Sequence, residues 1–117
     1  METTELIDLL SRGEDSCRQF KGNFTNADAL AAEIVAFSNT AGGKIFIGVQ
    51  NDGSVLGLSS ADIDRLNQLI SNSASQNVRP AVNPLTENVP HPNGTVMVLT
   101  IAEGVSKPYM DKNGAIW

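Results

Sequence analysis

The sequence predicts an α+β fold in which a mixed, mostly antiparallel sheet carries two or three packed helices. Three observations predict it. Apolar residues recur at helical spacing in three separate runs, each behind a helix-start residue. The run "KIFIGV" (44–49) is instead apolar on both alternating faces, as in a strand covered from two sides. Asn51-Asp52-Gly53, Asn93-Gly94 and Asn113-Gly114 punctuate the rest as tight turns, which favours hairpins and antiparallel pairing.

Taken in order, Thr3 or Thr4 is placed to cap a first helix carrying Leu6, Ile7, Leu9 and Leu10. Gly13 suits the left-handed position just past its end. "SCRQFKG" (16–22) then alternates as a strand, with Phe20 inward and Lys21 outward. Asn26 caps a second helix running from Ala27 to about Ser38, with an apolar stripe of Leu30, Ile34 and Phe37 widened by Ala31 and Val35. Only Asp28 and Glu33 are charged on it, so it belongs inside. The 44–49 run is the central strand, and Val55-Leu56-Gly57 begins a strand returning from the turn at 51–53. Ser59 and Asp62 resemble a capping box and open a third helix. Its Ile63, Leu66 and Ile70 face the core, while Asp64, Gln68 and Asn72 face water. Prolines at 80, 84, 90 and 92 confine any strand among them to a sheet edge. Asn93-Gly94 turns into "TVMVLTIAE", and "KPYMDKNGAIW" ends the chain with another turn and part of a last strand.

A chain of 117 residues is one domain, 1–117, with enough length for a real core. No apolar run approaches the ~20 residues that span a bilayer, and the acidic, amphipathic start is not a signal peptide, so no membrane partner is expected. The lone Cys17 cannot form an internal disulfide and points to a reducing, cytoplasmic setting. The net charge of −5 counts against nucleic-acid binding by the whole surface. It is uneven, however: up to Arg65 there are ten acidic and five basic residues, and beyond it three of each. A local basic patch on an acidic body fits that distribution.

Gly42-Gly43-Lys44 invites comparison with a phosphate-cradling loop. Such a loop follows a strand and opens a helix, whose free N–H groups meet the phosphates. Here the helix comes first, so its carbonyl end lies at Thr40-Ala41-Gly42. Ser38 stands where the first glycine is required, and Ile45 follows the lysine where serine or threonine is required. This is not a Walker-type ATP site, and no cofactor is implied. Locally, the glycines end the helix and Lys44 offsets its carbonyls. A sharper alternative has Asn39, Thr40 and Lys44 lining a shared edge with Lys21.

The ordered set "GEDSCRQFK", "AFSNTAGGKIFIGVQNDGSVLG" and "KPYMDKNGAIW" resembles the Schlafen-type AlbA domain from Glu14 to Trp117. The resemblance implies a Schlafen AlbA-like fold. It also implies a DNA-binding role in a bacterial transcriptional regulator, of which this domain would be the N-terminal part. Some animal Schlafens resemble endoribonucleases with three metal-binding carboxylates. Carried over, the first matches Glu14, the second falls at Gln19 and the third at Asn51. One carboxylate and two amides make a poor site for a hard cation, so no metal, no catalytic residue and no enzyme activity are expected.

Other chemistry is weaker. His91 sits between prolines and reads as structural, Cys17 as an inert thiol beside Arg18, and Tyr109 and Trp117 as core or hairpin residues. The binding reading therefore rests on Lys21, Lys44, Arg18 and Lys107, beside a motif pocket of Glu14, Gln19, Asn39, Thr40 and Asn51. So few phosphate contacts imply weak binding to DNA by the domain alone, with a modest salt dependence. The alternative is a dimerisation or ligand-sensing domain that leaves DNA contact to another part of the chain.

Overall fold

The computed structural model describes residues 1–117. In chain order the elements are α1 (Thr3–Ser11), β1 (Arg18–Lys21), α2 (Ala27–Ser38), β2 (Gly42–Ile47), α3 (Ser60–Gln76), β3 (Val78–Arg79), β4 (Leu85–His91), β5 (Gly94–Ala102) and β6 (Met110–Asp111). Four strands form one sheet in the order β1-β2-β5-β4, and β3 pairs with β6 in a second, small one. β1 runs parallel to β2, and the other neighbours are antiparallel. The fold is the expected α+β arrangement with a mixed, mostly antiparallel sheet.

Two of the three helix starts lie where the sequence places them. The Asn26 carboxamide accepts from the N–H groups of Asp28 and Ala29 at 2.7 and 3.2 Å, which satisfies free donors of α2. Ser59 and Asp62 form a complete capping box at α3. At α1 the expectation fails. Its N-cap is Glu2, with no side-chain cap, and the Thr3 hydroxyl instead donates to the Pro90 carbonyl at 2.7 Å. A partner distant in sequence has won that hydroxyl.

The sheet is covered on both faces, which explains the two-sided apolar pattern of β2. On one face Leu30, Ile34 and Phe37 of α2 and Leu66 and Ile70 of α3 pack on Ile45, Ile47, Met97 and Leu99. On the other, Leu6 and Leu10 of α1 pack on Phe20, Phe46, Val89, Val96 and Val98. Phe20 and Phe46 meet edge to face, with ring centroids 5.9 Å apart. Each such side chain contributes about 1.5–3 kcal/mol by leaving water.

β2 ends at Ile47, earlier than its apolar run, because Gly48 takes a positive φ of 100° and the chain bulges. The Gly48 and Val49 N–H groups both donate to the Lys21 carbonyl. The turn at 51–53 is present, but no strand returns from it. Val55 and Leu58 make only isolated bridges, to Val49 and Thr95. The last strand is likewise short: β6 has two residues, and the Asp111 N–H closes a turn onto the Ala115 carbonyl at 2.9 Å.

That terminal turn carries a pH prediction. The Asp111 carboxylate accepts from the Ala115 N–H, the Trp117 indole and the Asn113 N–H, which holds its pKa below the usual aspartate value. A depressed folded pKa stabilises the turn above the ordinary carboxylate range, and that stabilisation is lost as pH falls through the folded pKa. The emission of Trp117, the sole tryptophan, is expected to change below about pH 4 as the turn opens. Asp111→Asn should abolish that step. An unchanged acid transition in the variant would show that the turn is not its origin.

Candidate functional site

Two clefts flank β1, one toward each face of the sheet, and the parallel register decides what each receives. Arg18 aligns with Lys44, Gln19 with Ile45, Phe20 with Phe46 and Lys21 with Ile47. Side chains alternate between faces. Arg18 and Lys44 therefore share the α1 face with the two phenylalanines, while Gln19 and Lys21 share the α2 face. Lys21 does point away from Phe20, as expected, but toward α2 rather than toward Lys44. The structure does not bring these two lysines onto one path.

The first cleft is lined by Glu14, Asp15, Gln19, Lys21, Glu33 and Asn51, with a volume of about 400 Å³ and no apolar wall. The structure thus brings together Glu14, Gln19 and Asn51 of the expected motif pocket, with Lys21 beside them. It adds Asp15 and Glu33, which sequence reasoning left out of the site. Glu33 carried a local signal, being one of only two charges on a buried helix; Asp15 carried none.

Each carboxylate here is already engaged. The Glu14 Oε1 accepts the Phe20 N–H at 2.7 Å. Asp15 accepts the Cys17 N–H at 2.8 Å and pairs with Arg18 at 2.8 Å. Glu33 pairs with Lys21 at 3.4 Å. Gln19 differs, for its Oε1 is buried with no hydrogen-bond partner. No three His, Cys, Asp or Glu side chains converge in a metal-ligand arrangement.

The second cleft, of about 310 Å³, lies between α1 and the double glycine and is lined by Glu5, Leu9, Cys17, Arg18, Ala41, Gly42, Gly43 and Lys44. Arg18 is tied down by Asp15 and by its Nε donating to the Gly13 carbonyl at 3.2 Å. Lys44 is freer. Its Nζ donates to the Thr100 hydroxyl at 2.8 Å and meets no carboxylate at ion-pair distance. Arg12, Arg18, Lys21, Arg65, Lys107 and Lys112 each pair with an acid, whereas Lys44 and Arg79 do not. Lys107 stands apart in the loop after β5, paired with Glu103 at 2.6 Å.

Asn39 and Thr40 enter neither cleft. The Asn39 carboxamide donates to the Tyr109 carbonyl at 3.0 Å and accepts the Tyr109 N–H at 2.6 Å, as a neighbouring strand would. Thr40 returns its hydroxyl to the Ala36 and Phe37 carbonyls at the end of α2. The double glycine is equally structural. A Cβ on Gly43 would lie 2.4 Å from the Phe37 ring, and one on Gly42 would lie 2.5 Å from the Ile101 carbonyl oxygen. His91 serves its own hairpin, with Nδ1 accepting the Asn93 N–H at 3.1 Å.

The chain belongs to the Schlafen AlbA_2 family: the sequence model of that family (Schlafen, AlbA_2) matches residues 14–117. Its fold is similar to the solution structure of the N-terminal domain of a protein from Nitrosomonas europaea related to the ATP-dependent DNA helicase RecG. There the identity is 18%, the TM-score 0.72, and the match covers 99% of this chain and 84% of that one. It is also similar to the crystal structure of the DIP2311 protein from Corynebacterium diphtheriae, at 20% identity and a TM-score of 0.66. That match covers 97% of this chain but 28% of that one. No curated protein matches the chain. No helix is long and apolar enough to cross a membrane.

Proposed function

We propose that this domain is a non-enzymatic nucleic-acid-binding module that contacts the sugar-phosphate backbone through the cleft containing Lys44. The observation that carries this reading is a lysine with no carboxylate at ion-pair distance, at an open groove. Lys21, Arg18 and Lys107 are shared with acids and add less. The RecG-related neighbour is named for a DNA helicase, which supports DNA as the partner. Placement in a bacterial transcriptional regulator rests on the family resemblance, and a cytoplasmic setting on the lone Cys17. The non-enzymatic reading rests on the amides of Gln19 and Asn51, which supply no charge for a hard cation.

Contacts of a lone ammonium with phosphate carry no base information. Lys44→Ala is therefore expected to weaken binding to all sequences alike and to flatten the plot of log affinity against log salt by about one unit. Lys21→Ala, on the other face and paired with Glu33, should change the slope far less. The measurement is fluorescence anisotropy with labelled single-stranded and duplex DNA and structured RNA across a salt series. The same mixtures, held with Mg²⁺ and run on a denaturing gel, should contain intact strands. Parent-like binding by Lys44→Ala at low salt would remove this function from the cleft.

A further inference from the structure

We infer that the open edge of β4 pairs with β4 of a second copy of this chain, joining two four-stranded sheets across a twofold axis at Glu87. The two edges of the sheet are treated differently. At β1 the outward N–H of Phe20 is taken by Glu14, and Arg18 exchanges both backbone hydrogen bonds with Asp15. The chain has closed that edge itself. At β4 it has not.

The hairpin His91↔Gly94 fixes which groups of β4 face outward. In an antiparallel ladder, hydrogen-bonded and non-hydrogen-bonded pairs alternate. The two-residue connection makes His91↔Gly94 a hydrogen-bonded pair, so Val89, Glu87 and Leu85 also bond to β5. Pro90, Asn88, Thr86 and Pro84 then turn their backbone groups away from the sheet. Two observations support this phase: the Thr3 hydroxyl reaches the Pro90 carbonyl, and Leu58 meets the Thr95 carbonyl on the opposite side of β5. Thr86 and Asn88 keep free N–H and C=O groups, and both residues are exposed.

This free window is symmetric. Pro84 and Pro90 lack the donors needed to extend it, and they stand equally far from Glu87. A second β4, antiparallel about Glu87, fits between these limits: Thr86 of each copy exchanges both backbone hydrogen bonds with Asn88 of the other. Leu85, 67% exposed, is then covered beside Val89 of the second copy. The two Glu87 carboxylates face one another, and each is held by its own N-terminal ammonium. A strand junction of this size is smaller than a standard interface, so the dimer is weak and dynamic.

A twofold perpendicular to the sheet keeps the two α1 faces on the same side. The Lys44 grooves of both copies then open onto one surface, on the order of 25 Å apart across the continuous sheet. That consequence rests on the nucleic-acid reading; the pairing does not, and its test contains no nucleic acid.

The test is sedimentation equilibrium of the 12.4 kDa chain from micromolar to millimolar concentration. The mass is expected to rise toward twice the monomer value. Asn88→Pro and Thr86→Pro each remove an outward donor without touching the β4–β5 ladder and should remain monomeric, with unchanged circular dichroism. Leu85→Lys gives the same answer should a proline variant fail to fold. Amide exchange at Thr86 and Asn88 should slow as concentration rises. A parent that stays monomeric throughout, or folded edge variants that dimerise as the parent does, would overturn the pairing.

Discussion

Replacing Gly42 with alanine is expected to cost about 2–5 kcal/mol of folding stability, through backbone strain and overpacking together. Gly42 has a φ of +79°, where a side chain meets its own backbone. It also sits against β5, where a new Cβ would lie 2.5 Å from the Ile101 carbonyl oxygen and 2.7 Å from the Glu103 nitrogen. Both are backbone atoms that cannot rotate aside. Two companion variants separate the causes. Gly13→Ala has a similar φ of +75° but nothing within 4 Å, and should cost about 1 kcal/mol. Gly43 lacks the positive φ but would press a Cβ against the Phe37 ring and the Cys17 carbonyl. Urea unfolding of the three variants should rank Gly42 as most damaging and Gly13 as least. Parent-like stability in Gly42→Ala would mean that β2 and β5 lie farther apart than described.

Asn39→Ala should be the next most damaging change. Its carboxamide holds the Tyr109 N–H and C=O, and Tyr109 is itself buried in the main core. Truncation leaves a donor and an acceptor without partners, at about 1–3 kcal/mol for each group that water does not reach. Asn39→Asp retains the acceptor but turns an oxygen toward the Tyr109 carbonyl and adds a negative charge at the carbonyl end of α2. It should therefore be no better than alanine. The readout is amide exchange at Tyr109, expected to quicken in both variants while β5 stays protected. Uniform exchange across the chain would instead indicate global unfolding from a single cooperative unit.

What could be read in the sequence was what neighbouring residues decide. Asn26 and Ser59 cap helices through atoms two or three residues away, and the two-sided apolar run of β2 reports burial on both faces. The apolar stripe Leu30, Ile34 and Phe37 placed α2 correctly on the central strand. The misreadings depend on contacts across the chain. Thr3 looked like a cap, but Pro90 takes its hydroxyl. Alternation set Lys21 opposite Phe20, yet only the register of β1 on β2 reveals that Lys44 shares a face with Phe20. A shift of one residue would have reversed that result. Asn39 offered no local sign that Tyr109, seventy residues on, would claim both ends of its amide.

The hydrogen bond from the Phe20 N–H to Glu14 alters how such sequences should be read. A glutamate at this place closes a strand edge whether or not hydrolysis takes place nearby, so its presence serves as a marker of the fold. Gln19 has a buried oxygen without a partner, and Asn51 is exposed on a turn outside β2. Neither amide is fastened into the sheet by a side-chain hydrogen bond, in contrast to the Glu14 carboxylate. The presence of Glu14 is therefore accounted for by the strand edge it closes and by itself gives no sign of a hydrolytic site.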